Sequence, residues 1–217
     1  DKNVGVGKAV TVSGLGLSGT DALNYTLSQP LGITADITKA TVIFSGIVVS
    51  NKIYDGTTDA AVSTGSANFA GKYAGDVLTV DSTGTFSDKN VGVEKFVSVV
   101  NTFDGEDLGN YTIIETDPAF TANITPLGIT VSGVTASNKV YDQTTAATVN
   151  TGSASLVGVL GGDTVSLDDT SKSGVFADKN AGTGKSVTVS GLGLSGADAL
   201  NYSLSQPAGI TANITAL

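Results

Sequence analysis

The sequence predicts an all-β protein made of small tandem β modules, sandwich or β-grasp-like, set end to end as an elongated rod. Three observations carry this. Apolar and polar residues alternate at a period of two, as in "KSVTVS" at 185–190, where Val187 and Val189 share one face. Nothing reads as a long amphipathic helix. The chain also repeats itself: residues 1–38 and 178–215 align without a gap and differ at seven positions.

Taken in order, the copies define the modules. A third, more diverged copy runs from "DKNVG" at 88 to "TANIT" at 121–125. "SNKIYDGTT" at 50–58 returns as "SNKVYDQTT" at 137–145, and Asp76 in "GDVLTVD" matches Asp163 in "GDTVSLD". "DSTGTF" at 81–86 becomes the longer "DDTSKSGVF" at 168–176, and a tolerated insertion in a Ser/Gly-rich stretch marks a loop. The repeat is one small domain long, too long for a solenoid unit. Complete modules are placed at 41–127 and 128–217, with 1–40 as the C-terminal half of a preceding module. Such a half-module leaves strand edges to be paired, by the following module or by a neighbouring molecule. "ANITPLGITV" at 122–131 runs from the last strand of one module into the first of the next, a joint without linker that favours stiffness.

Within a module, "FTANIT", "GITANIT" and "NYSLS" alternate as strands, with Gly, Asn or Asp at the breaks. "GADALN" at 196–201 is the best helical candidate, about one turn long, with Asp198 near its start.

Composition excludes several function classes. The chain contains no Cys, His, Met or Trp, which removes thiolate and imidazole catalysis and the usual zinc and haem ligands. A carboxylate pair acting alone is the only enzymatic route left, and no pair of acids stands out from turn duty. Eleven basic residues against twenty acidic ones give a net charge of −9, and no basic run exists to follow a phosphate backbone or an anionic membrane. No apolar stretch is long enough to span a bilayer as a helix, and nothing at Asp1 resembles a signal peptide.

The recurring motifs read first as stitches. Tyr54 and Tyr141 end a strand and plug the core with the ring, while the hydroxyl seeks a polar partner. Asp55 and Asp142 form Asx turns with the backbone N–H two residues on. Gln143 in place of Gly56 implies a position that does not demand a positive φ. "DKN" at 1, 88 and 178 precedes Gly5, Gly92 and Gly182 and reads as a turn entering a hairpin. A sharper reading is a Lys–Asn isopeptide cross-link with Lys52, Lys139, Lys89 or Lys179 as the amine. Neighbours in a strand face opposite ways, so Lys and Asn of one "DKN" do not meet. "NY" places Tyr25, Tyr111 and Tyr202 as core aromatics beside Leu27, Ile113 and Leu204. Asp104, Glu106 and Asp107 in "DGEDLGN" resemble half a calcium loop without its distal Glu, so a solvated acidic loop competes with a weak calcium site. No other cofactor is expected.

"SNKxYDGTT", "GDxVxxD", "DKNVGxxKxVTVSGLxLSGxDAxNYxL" and "ITAxIT", in that order, resemble the YDG domain. That domain recurs in tandem in bacterial surface proteins similar to filamentous-haemagglutinin adhesins. The resemblance covers nearly the whole chain, and Gln143 departs from it at the naming glycine. It implies a structural stalk or spacer repeat of a secreted or surface-anchored adhesin, extracellular, exported by two-partner secretion and holding a distal binding region away from the cell. A passenger threaded unfolded must not close disulfides beforehand, and this chain has no cysteine to close. The expected partners are neighbouring repeats, with host surface or matrix contacted mainly by other parts of the protein. The rival expectation is a multivalent weak binding module for glycans, mucin or self-association in adhesion or biofilm. Aromatics at 6% and the absence of Trp weigh against sugar stacking.

Overall fold

The computed structural model describes all residues, 1–217. It is all-β, with three 3-10 turns as its only helical elements. The chain divides into two compact units. One comprises Asp1–Val48, Val62–Thr83 and Val99–Ala119; the other comprises Val49–Ala61, Gly84–Ser98 and Phe120–Leu217.

The second unit holds the most complete copy of the repeat. Its five-stranded sheet has the order Lys139–Val140, Thr211–Thr215, Gly182–Ser190, Ser173–Phe176, Ala146–Ala147. All neighbours are antiparallel except the first pair, where Lys139 and Val140 run parallel to Ile214 and Thr215. A three-stranded sheet sets Leu127–Ser132 between Ser155–Val157, antiparallel, and Tyr202–Ser205, parallel. The two sheets contribute to one core: Val131 from the smaller, Phe176, Val187, Val189, Ala212 and Ile214 from the larger, closed by Val134, Val149 and Leu192. The period of two is thus a burial pattern, with Val187 and Val189 inside and Ser186, Thr188 and Ser190 outside. Residues 49–61, 84–98 and 120–125 repeat the larger sheet's pairings, with Ile124 beside Lys52, Lys95 beside Ala122 and Asp59 beside Thr85. Only Pro126 separates the strand Phe120–Thr125 from the strand Leu127–Ser132.

The first unit holds the corresponding three-stranded sheet. Ala40–Ser45 lies between Tyr111–Glu115, parallel, and Asn68–Ala70, antiparallel. Val42, Leu78 and Tyr111 are its buried centre, and Phe44 packs on Phe69 and Phe103 at 5.1 and 4.8 Å between ring centroids. Gly5–Ala9 pairs with Thr34–Ile37 in a two-stranded sheet. Residues 10–33 contain no strand, although their near-identical counterparts in 187–210 do. The counterparts pair with Ser173–Phe176, Leu127–Ser132 and Ser166–Asp168, and residues 10–33 have no such partners in the structure. The same sequence therefore leaves its apolar side chains in solvent. Tyr25, expected in a core, is 71% exposed, whereas Tyr111 and Tyr202 are 3% and 6% exposed.

The helical candidate at 196–201 is a single 3-10 turn, Ala199–Asn201, and the same turn recurs at Ala22–Asn24 and Leu108–Asn110. Asp198 does not cap it with its side chain; its Oδ2 accepts from the Thr164 N–H at 2.9 Å instead.

The "YDG" turn corrects one expectation. Gly56 has φ +78° and Gln143 has φ +68°, so the position holds the left-handed conformation in both copies. Gln143 is exposed and bears the steric cost that a left-handed backbone imposes on an L side chain.

Candidate functional site: a tyrosine–aspartate–lysine clamp

The recurring motifs converge in space. Residues 50–58 lie along the edge of the strand Phe120–Thr125. Lys52 and Ile53 pair in parallel with Ile124 and Thr125, Asn51 Oδ1 accepts from the Asn123 N–H at 2.7 Å, and the Tyr54 N–H donates to Thr125 O at 2.8 Å. This backbone register delivers the Tyr54 ring to a buried position, 1% exposed. Its hydroxyl donates to Asp163 Oδ2 at 2.7 Å. The Tyr202 hydroxyl donates to the same oxygen, also at 2.7 Å, with its ring edge-on to Tyr54 at 5.5 Å between centroids. Lys89 Nζ donates to Asp163 Oδ1 at 2.7 Å, stands 3.6 Å from Asp198 Oδ1 and lies 5.7 Å from the Tyr54 ring centre. Beside it, buried Asn201 accepts from the Val91 N–H at 2.9 Å and donates to Asn90 Oδ1 at 3.1 Å. The Leu160 N–H closes the network on the Tyr202 oxygen at 3.1 Å. One set of groups comes from residues 54–91, the other from 160–202. The recurring motifs "YD" and "DKN" supply the first set and "GD" and "DALNY" the second, all within the second unit.

A carboxylate that accepts two phenols and an ammonium has its charge neutralised and its lone pairs filled. Lys89 first, then Tyr202 and Tyr54, hold the Asp163 carboxyl down at about 2. Burial first, then Asp163, pushes the Tyr202 phenol up to about 12, and the same causes raise Tyr54. Asp163, in turn, raises Lys89. None of these shifts brings a group toward neutral pH, where proton transfer would need it. The constellation is chemically a clamp.

The first unit builds it again with one phenol in place of two. Lys2 Nζ reaches Asp76 Oδ1 at 2.5 Å and Asp107 Oδ1 at 2.9 Å, and the Tyr111 hydroxyl donates to Asp76 Oδ2 at 2.7 Å. Asn110 accepts from the Val4 N–H at 2.9 Å and donates to Asn3 Oδ1 at 3.1 Å, and the Tyr73 N–H donates to the Tyr111 oxygen at 3.0 Å. Lys2 lowers the Asp76 and Asp107 carboxyls, with Tyr111 and the Val77 N–H assisting respectively.

The remaining sequence candidates divide. Asp55 and Asp142 form their Asx turns, each Oδ1 accepting from the N–H of Thr57 or Thr144 at 2.9 Å. Lys139 and Lys52 brace these turns: Lys139 pulls the Asp142 carboxyl to about 2, and Lys52 helps lower Asp55 against its burial. "DKN" is likewise an Asx turn, Asp88 Oδ1 accepting from Asn90 N and Asp178 Oδ1 from Asn180 N at 2.8 Å. Of the four lysines considered for an isopeptide bond, Lys52 and Lys139 bond carboxylate, hydroxyl and carbonyl oxygens, Lys89 bonds Asp163, and Lys179 is exposed. Tyr141 is half-buried against the core around Phe176, with no counterpart of Asp163 opposite it.

Asp104, Glu106 and Asp107 do not form the acidic cluster that a calcium ion needs. Asp104 and Glu106 are exposed, Asp107 is buried and faces Lys2, and no three acid side chains in the structure are grouped to hold a metal. Sequence reasoning missed the roles of Asp163, Lys89 and Asn201. The available signal was Asp76 recurring as Asp163 beside tyrosines that recur too.

Fold and site together define a class: an all-β protein of repeated sequence, with an aspartate clamped by tyrosine and lysine inside each of its two units. The chain belongs to the YDG domain family, whose model matches residues 1–32, 38–119 and 125–209. No curated protein and no solved structure matches it.

Proposed function

We propose that this chain is a structural spacer from the stalk of a secreted or surface-anchored bacterial adhesin. Its repeats, 41–127 and 128–217 with the half-repeat 1–40, extend a distal binding region from the cell as a rod. It works outside the cell, has no enzymatic role, takes no cofactor, and has neighbouring repeats as its main partners, with host contact made elsewhere in the protein.

One observation carries this reading: the motifs that recur are taken up by the joint. Tyr54 and Lys89 bond Asp163, and Asn90 bonds Asn201, across the boundary between 41–127 and 128–217; Lys2 with Asp76 and Asn3 with Asn110 do the same across the boundary at 40 and 41. A residue set preserved between copies for coupling suits a mechanical part. A recognition site would instead keep its recurring side chains free for a ligand. Packing and strand pairing must hold each module, since there is no disulfide.

The test is deletion of one repeat from the surface-displayed protein. Reach, read as the distance at which cells are held from a ligand-coated surface, shortens in proportion while ligand affinity stays constant. Unchanged reach sinks the spacer reading. Binding of the chain to a glycan array replaces it with the multivalent alternative.

A further inference from the structure

The two clamps differ in one member. In the second unit Asp163 Oδ2 receives two phenols, from Tyr54 and Tyr202. In the first unit Asp76 Oδ2 receives only one, from Tyr111. Where the second phenol would enter there is a cavity of ≈ 450 Å³ lined by Lys2, Ile37, Thr38, Tyr73, Asp76 and Tyr111, among others. Each of these has a counterpart around Tyr54: Lys89, Ile124, Thr125, Leu160, Asp163 and Tyr202. The side chain of Lys89, beneath the Tyr54 ring, is 36% exposed, and that of Lys2, with no ring over it, is 64% exposed. The neighbouring strand edge is open too. Phe120–Thr125 has Lys52–Ile53 along its outer edge, whereas Thr34–Ile37 has Gly5–Ala9 on one side and nothing on the other. An unpaired edge beside a shaped cavity is the geometry of strand addition.

We propose that this groove is a docking site for an extended, tyrosine-bearing strand of the S-N-K-x-Y-D type, supplied by a further YDG repeat. The inference rests on reading the clamp as the coupling device between repeats, and it names the side chain the open clamp accepts. The occupant is argued from the chain's own second clamp, which shows it seated. The strand pairs in parallel with residues 37 and 38 as Lys52 and Ile53 pair with Ile124 and Thr125. Its Asn two positions before the second paired residue accepts from the Asp36 N–H, as Asn51 accepts from Asn123. The tyrosine then lies edge-on to Tyr111, over Lys2, and its hydroxyl donates to Asp76 Oδ2. The Lys of the incoming motif stays with its own Asp and Thr, as Lys52 does with Asp55 and Thr57, so the strand brings its turn preformed.

The experiment titrates the full 217-residue chain with a synthetic peptide of residues 49–58, followed by backbone amide NMR. Saturable shifts at Thr34–Thr38 and Tyr111 are expected, with a Tyr→Phe peptide binding roughly tenfold more weakly because it leaves Asp76 one donor short. Asp76→Asn in the chain weakens the wild-type peptide similarly. No shifts at millimolar peptide, shifts confined elsewhere, or equal affinity for the Phe peptide each overturn the proposal. The Phe peptide keeps the test decisive even if the Asp76 variant fails to fold. The underlying reading has its own check, since loss of stability in Asp163→Asn reports on the closed clamp whatever the peptide does.

Discussion

At the residue scale the repeats act as internal controls, because the same backbone position is filled by different side chains. Gly7 and Gly184 have φ +62° and +60° at the bulge of their strands, and Glu94 takes φ +51° at the same place. There the backbone N–H is anchored by a side chain across the bulge: Gly7 by Asp36, Glu94 by Asn123 and Gly184 by Asn213, each at 2.7 Å. The anchor fixes the conformation, and Glu94 bears the steric cost of its Cβ. Gln143 bears it opposite Gly56. Glu94→Gly and Gln143→Gly are each expected to stabilise the protein by about 0.5–1 kcal/mol, the relief of a left-handed non-glycine less the added chain entropy of glycine. Gly56→Gln should cost about as much. Urea midpoints measured on the three variants check both signs. The sequence showed the Gly/Gln exchange but invited the wrong inference from it. A tolerated substitution reports that strain is bearable, whereas the dihedral itself depends on the Asx turn and its Lys52 or Lys139 brace.

At the scale of elements, strand identity was legible and strand partnership was not. Alternation marked 185–190 correctly because one face of that strand is buried whatever it pairs with. The clamp was illegible because Tyr54 and Asp163 lie 109 residues apart, and no local pattern announces so distant a hydrogen bond. Tyr25 shows the same limit in reverse: its sequence context matches that of Tyr202, yet without partner strands it is exposed. The clamp makes two predictions. Asp163→Asn removes the charge and replaces one of the two acceptor oxygens with an NH2 donor, which leaves two buried phenols and an ammonium poorly matched, at an expected cost of about 2–3 kcal/mol. Tyr54→Phe removes one donor and costs about 1–2 kcal/mol; in a double-mutant cycle the two losses should be strongly non-additive. The second prediction is pH dependence. The folded Asp163 carboxyl sits at about 2 against an ordinary value of 3.8, so the unfolded chain takes up the proton first. The clamp's contribution is complete above the ordinary value and is lost as pH falls toward 2. Asp76, Asp107 and Asp142 are lowered as well and steepen the same acid limb. A melting temperature that is flat from neutral to mildly acidic pH and then drops is expected. In Asp163→Asn the drop becomes shallower.

For the whole molecule, repetition turns local bonds into a property of the chain. In a linear array, stability is the sum of each repeat's own term and the term for each interface with a neighbour. On the proposed division, the core around Phe176, Val187 and Ile214 belongs to the repeat 128–217 alone, while Tyr54 and Lys89 reach Asp163 across its boundary. Disabling the clamp should therefore lower coupling and leave that core intact. The double variant Tyr54→Phe/Asp163→Asn is expected to broaden or split the calorimetric unfolding transition, with hydrogen-exchange protection kept at Val187 and Val189 and lost at Val91 and Leu160. A single transition shifted uniformly downward, with protection falling everywhere alike, would mean that Asp163 stabilises its own repeat and couples nothing. Calcium provides the contrasting control. The acids nearest the clamp are matched to lysines and backbone N–H groups, and none are grouped to hold a metal, so melting in calcium and in chelator should coincide. A calcium-dependent melt would place the coupling in ions, as the loop at Asp104 first suggested. A melt that responds to acid and to the loss of one tyrosine hydroxyl, and is indifferent to calcium, places it in the Tyr–Asp–Lys contact, where each repeat holds the next.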